Sequence, residues 1–101
     1  MELESKDVVE TGVVVHLELG TEAMHRSING YIAHVGDGEM GVEVPEGEEI
    51  SAHFGDGVQL LITAARKGVG LVGRTKVLDR VEDNDRVIKI SVPDRWVQVQ
   101  R

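Results

Sequence analysis

The sequence predicts an all-β fold, a small six-stranded antiparallel split barrel, and three observations predict it. Apolar and polar residues alternate with period two in several separate stretches, as half-buried strands require. Glycine and acidic clusters interrupt those stretches where turns are needed. The stretches also fall into two similar halves, each a three-strand meander.

The first strand opens at Gly12-Val13. Val13, Val15, Leu17 and Leu19 share one face, with Val14, His16 and Glu18 on the other. Thr21 to Ser27 reads as a polar connector. A second strand begins at Gly30 and ends at Val35, and Gly36-Asp37-Gly38 turns it into a third, where Met40, Val42 and Val44 alternate with Gly41 and Glu43. Pro45-Glu46-Gly47-Glu48-Glu49 reads as a solvated loop. The second half follows the same order. Gly55-Asp56-Gly57 leads into a strand in which Val58, Leu60, Ile62 and Ala64 alternate with Gln59, Leu61 and Thr63. Arg66-Lys67-Gly68 turns into a strand running from Gly70 to Val77. After Glu82-Asp83-Asn84-Asp85, Ile88, Ile90 and Val92 alternate with Lys89 and Ser91. Val44-Pro45 and Val92-Pro93 end the third strand of each half, because proline cannot donate to a ladder. Six short strands of this kind bury their apolar faces by closing into a barrel, which also removes aggregation-prone edges. No stretch sustains a 3.6-residue period.

The remaining segment, Asp94 to Arg101, is extended by pattern, with Trp96, Gln98 and Gln100 opposite Val97 and Val99. It stops in mid-strand character, so the chain is expected to have been cut from something longer. The expected organisation is a flexible acidic N-terminus over residues 1–7, a barrel over 8–93 and an extended interdomain linker over 94–101.

Composition narrows the function classes. There is no cysteine, hence no disulfide framework and no thiolate metal site. With no signal-peptide pattern at Met1 to Lys6 and no apolar run near the ~20 residues of a membrane span, the expected location is the cytoplasm, without membrane insertion. The net charge of −7 is uneven: residues 1–57 hold 13 acids and 2 bases, residues 58–101 hold 5 acids and 9 bases. An acidic first half opposes nucleic-acid binding, and Tyr31, Phe54 and Trp96 are too scattered to form a base-stacking platform. The basic second half either complements the first or holds an anion locally.

Catalytic constellations are missing. His16, His25, His34 and His53 form neither His-x-His nor a zinc-binding helix pattern, with His16 and His34 in predicted strands and the other two in predicted connectors. No metal site is expected. Gly68-Val69-Gly70-Leu71-Val72-Gly73 has dinucleotide-fingerprint spacing, but Arg74-Thr75-Lys76-Val77-Leu78 after it reads as a strand rather than a helix. Those glycines are expected to form a turn and to relieve crowding in a tight barrel. Ser5, Ser27 and Ser91 lack a nucleophile-elbow pattern, and the acidic clusters lack calcium-loop spacing. No enzyme is expected.

The order of features resembles a known family. The Gly12-Val13 and Gly57-Val58 strands, the Gly70…Arg74…Val77 strand, Ser91-Val92-Pro93 and the segment Trp96-Val97-Gln98-Val99-Gln100-Arg101 together resemble the N-terminal domain of bacterial flagellar-brake proteins, whose second half is a PilZ domain. The resemblance covers nearly the whole chain from about residue 8, with no single diagnostic motif. It implies a regulatory accessory domain of a cyclic di-GMP receptor, with a downstream PilZ domain as its partner in the same polypeptide and a flagellar motor component as an external one. The family's ligand motifs, Arg-x-x-x-Arg and Asp/Asn-x-Ser-x-x-Gly, are absent here, so cyclic di-GMP is expected only together with the PilZ domain and no cofactor in this chain alone. Gln100-Arg101 corresponds to the start of the family's Gln-Arg-Arg junction, which makes Gln100 and Arg101 the ligand-binding candidates; a guanidinium pairs with phosphate bidentately. Arg95, Trp96 and Gln98 are the candidates for the interdomain or partner surface. The alternative is a free-standing β-barrel interaction module with Trp96 as its anchor, unless Trp96 packs back on the barrel or on the missing domain.

Overall fold

The computed structural model describes residues 2–4, 8–21, 24–45, 54–66, 68–80 and 86–99. Among them there are eight strands and no helix: β1 (Glu2–Glu4), β2 (Val14–Thr21), β3 (Met24–Val35), β4 (Glu39–Glu43), β5 (Gln59–Arg66), β6 (Val69–Arg80), β7 (Val87–Ser91) and β8 (Arg95–Gln98). All pairings are antiparallel. The ladder runs β6-β5-β2-β3-β4-β7, and a β6–β7 pairing closes it. Six strands therefore form a closed barrel, as the alternation predicts. β8 adds to the free side of β6, and β1 adds to β8, making a short ribbon on the flank.

The two meanders are β2-β3-β4 and β5-β6-β7, and they are built with the same devices. A single offset carries Gly12 onto Gly57, Val13 onto Val58 and Ile32 onto Val77. Gly12 and Gly57 both have a left-handed backbone, φ 94° and 82°, which glycine adopts without steric cost. In one half Gly12 N donates to Ile32 O at 2.7 Å and Ile32 N to Val13 O at 2.9 Å; in the other Gly57 N donates to Val77 O at 2.7 Å and Val77 N to Val58 O at 2.9 Å. The same offset relates two register shifts, between Ile32 and His34 against β4 and between Val77 and Asp79 against β7. Ala33 and Leu78 are thus the extra residues of equivalent bulges, which bend a long strand so that a small barrel can close.

Val15, Leu17, Ile28, Ile32, Met40, Val42, Ile62, Ile88 and Ile90 are buried in the core, with Val8 and Phe54 from the connectors. Each fully buried aliphatic side chain contributes about 1.5–3 kcal/mol relative to exposure. Thr75 is the buried polar residue, and its hydroxyl donates to the Ser91 carbonyl oxygen. The Lys76 amide donates to Ser91 Oγ at 3.1 Å. These bonds tie β6 to the end of β7 where the main-chain ladder between them has not yet begun.

Three expectations change. β3 begins at Met24, not Gly30, and Met24–Arg26 pair with Leu19–Thr21. Once Leu17 and Ile28 are in register the backbone ladder continues, whatever the polarity of side chains at the barrel's end. The segment after Pro93 is extended, but Arg95–Gln98 is a strand of the sheet, with Leu71 opposite Gln98 and Val72 opposite Val97. Glu2–Glu4, expected to be flexible, pairs with that strand from Glu2↔Val97 to Glu4↔Arg95.

The glycine run matches the expectation at Gly68 and Gly73 but not at Gly70. Gly68, φ 79°, makes the β5–β6 turn, and a strand follows it. A methyl group added at Gly73 would lie 2.9 Å from Pro93 Cβ and 3.0 Å from its Cγ, whereas one at Gly70 would meet nothing nearer than Val99 Cβ at 3.9 Å. Gly73→Ala should therefore cost about 1–3 kcal/mol through overpacking, and Gly70→Ala should stay within about 1 kcal/mol of the parent or gain slightly. Urea denaturation of the two variants measures the difference, and equal losses would show that Pro93 does not press on Gly73.

Candidate functional site

The β1–β8 ribbon is the element that carries the surface candidates. In β8 successive side chains alternate between the core and solvent. Arg95 and Val97 are exposed, Gln98 is half-buried, and Trp96 is 0% exposed. Trp96 is therefore not an exposed anchor. Its indole is the largest fully buried side chain of the described core. Gln100 and Arg101, the ligand candidates, lie outside the described residues. So does His53.

The other histidines do not converge. His16 lies on the outer face of β2, with Nδ1 2.6 Å from Asn29 Oδ1 and Nε2 3.2 Å from Glu18 Oε1. His34 lies flat on Gly41, where a side chain at 41 would meet the ring at 2.6 Å. His25 falls in β3 rather than in a connector. Among the described residues no three His, Asp or Glu side chains gather to hold a metal ion, and no helix is long and apolar enough to cross a membrane.

What the structure does assemble is an outer face across β8, β6, β5 and β2. Register places Val97, Val72, Thr63 and His16 in one row and Arg74, Leu61 and Glu18 in the next. Lys76 follows, opposite Gln59. Val14, 70% exposed, and Tyr31 are cross-strand partners at the near edge. Leu61 and Val97 are each 44% exposed. Apolar side chains thus lie beside two exposed cations, Arg74 and Lys76. Sequence reasoning did not single out these two as site residues. The signal available was Arg74-Thr75-Lys76, where period two puts the hydroxyl inward and both cations outward within the basic half.

Arg74 and Lys76 differ from the neighbouring cations in their surroundings. Arg66 pairs with Glu10 at 2.9 Å, Lys89 Nζ lies 3.7 Å from Glu39, and Arg86 Nε donates to the Val44 carbonyl oxygen at 3.0 Å. Arg74 and Lys76 face Leu61 and Gln59 across the ladder, neither of them an acid.

A closed six-stranded antiparallel barrel with a two-stranded ribbon on its flank defines the class of domain. The Bacillus subtilis inhibitor of motility, MotI/DgrA, contains the same fold: its structure aligns with 92% of this chain at a TM-score of 0.72 and 16% sequence identity. The aligned region is 47% of that protein, so this chain spans about half its length. No family model matches the sequence, and no curated protein matches it.

Trp96 is the chain's one tryptophan, so its environment is directly readable. Its emission should be blue-shifted in the native state and move to the red on unfolding. Trp96→Ala should cost about 3–5 kcal/mol, the usual loss for a large aromatic removed from a core. A variant that unfolds at the parent's denaturant midpoint would place the indole outside the core.

Proposed function

We propose that this chain is a regulatory accessory domain that acts in cyclic di-GMP control of bacterial motility. The observation that carries this reading is the shared barrel: a fold that makes up half of an inhibitor of motility, found in a chain whose order of strands and exit segment independently resembles the accessory half of flagellar-brake receptors. The absence of the ligand motifs from this sequence agrees with a role that presents a surface rather than holds the nucleotide.

In this reading the dinucleotide binds at a junction with a PilZ domain following Arg101, and Gln100 and Arg101 contribute to that junction. The ligand is a dianion, and the basic second half of the chain is compatible with its approach where the acidic first half is not. Mechanism is a population shift. Ligand favours one placement of the two domains, to the extent that its contacts differ between placements. The ribbon supports such coupling, because β8 is hydrogen-bonded to β6 and Trp96 is embedded in the core, so the barrel and the outgoing chain would move as one body. The output is a changed contact with a motor component.

The reading frame beyond Arg101 tests this. An Arg-x-x-x-Arg within a few residues, followed by Asp/Asn-x-Ser-x-x-Gly, is the expected result. The longer chain should then bind cyclic di-GMP by calorimetry, the 101-residue chain should not, and overexpression of the longer chain should reduce swimming. A stop codon after Arg101 would remove the receptor reading and leave a free-standing interaction module.

A further inference from the structure

We infer that the outer face of β8, β6, β5 and β2 is a docking surface for a protein segment that combines apolar side chains with carboxylates. The inference deepens the reading above, since it rests on this chain acting through a protein contact, and it names where and with what chemistry.

Two observations carry it. The first is the apolar row. Val97 and Val72 are opposite each other, Leu61 lies one row along, and Val14 stands at the edge with most of its surface in water. Single exposed apolar residues are ordinary, but neighbours on one face of a sheet mark interaction sites. The second is charge. The sequence has 18 acids and 11 bases, so an acid is the easier partner to find for any cation. Arg66 and Lys89 have found theirs. Arg74 and Lys76 are exposed on adjacent outward positions of β6, paired with no other described residue and facing Leu61 and Gln59. Arg95, exposed on the same side of β8 as Val97, stands opposite Glu4 of β1 and is not part of this pair. A local cationic border on a chain of net charge −7 is complementary to carboxylates and to little else on an acidic molecule's own surface. The arrangement, apolar centre with arginine and lysine at its margin, is the anatomy of a protein interface. A nucleic acid is the other polyanion the border would attract, but Tyr31 at the edge is the one exposed aromatic among the described residues of this face, which is no platform for stacking successive bases.

The partner's chemistry is tested with the chain alone and no nucleotide, so the outcome is separate from that of the receptor reading. The probe is a short capped peptide in which leucines are interspersed with glutamates; the controls are its lysine-for-glutamate counterpart and inorganic pyrophosphate. Amide NMR titration should show the acidic peptide shifting residues of β5, β6 and β8, with affinity falling as salt is raised. The double variant Arg74→Glu, Lys76→Glu should weaken binding by roughly tenfold, in line with two exposed ion pairs lost. Val14→Thr, which keeps the β-branched shape and tests the apolar contribution without endangering the fold, should weaken it about threefold. No shifts up to millimolar peptide, shifts centred on other strands, equal binding of the lysine peptide, or equal shifts from pyrophosphate would each overturn the inference.

Discussion

β6 is the strand on which the rest of the architecture depends. Its twelve residues make three sets of main-chain bonds: to β5 along most of their length, to β8 near the start and to β7 near the end. The barrel closes only because β6 leaves β8 and joins β7, and that change of partner happens over Gly73 to Lys76. Each residue there has a physical reason. Gly73 admits the crossing of Pro93, Thr75 turns a hydroxyl inward to hold Ser91, and Lys76 gives its amide to the same serine. Small barrels need strongly bent strands, and the bulge at Leu78 completes the bend.

The duplicated layout explains why so much of this was legible in the sequence. Gly12-Val13 and Gly57-Val58 are visible as paired strand openings, and they are paired for a backbone reason, a left-handed glycine whose amide bonds across to the next strand. Period-two alternation gave the inward faces of β2, β4, β5 and β7, because a closed barrel has one dry side and one wet side and the side chains must sort between them. Two things were not legible. The start of β3, Met24–Arg26, shows no alternation of apolar and polar residues that would announce a ladder held by main-chain bonds to Leu19–Thr21. The destination of Trp96 was likewise open, since alternation in β8 fixes two opposite faces but not which of them is the core. That is set by the pairing of β8 with β6, between residues far apart in sequence.

The candidate site was the less legible part. Arg95 and Gln98 could be placed on a strand because the segment was read as extended; alternation about a buried Trp96 then exposes Arg95, whereas Gln98, on the side of Trp96, is half-buried. Arg74 and Lys76 needed the sheet. In the sequence they are two of several cations in a basic half. Only the register shows that their cross-strand neighbours are Leu61 and Gln59, while Arg66 and Lys89 reach acids contributed by distant segments. Whether a charge is spent inside the fold or left for a partner is a property of pairing, which composition does not encode.

The flank ribbon connects these two levels. A barrel that ended at β7 would leave the early part of β6 as an open edge, with its amides and carbonyls available to any strand. β8 covers that edge and β1 covers β8, so the chain satisfies its own edge with its two terminal strands among the described residues. The same placement brings Val97 beside Val72 and extends the outer face by a strand. β8 thus does two jobs through one set of hydrogen bonds: it seals the barrel with Trp96 on its inner side and extends the outer face with Arg95 and Val97 on the other. Displacing β8 would therefore uncover the core and narrow the face together, since both rest on the same pairing with β6.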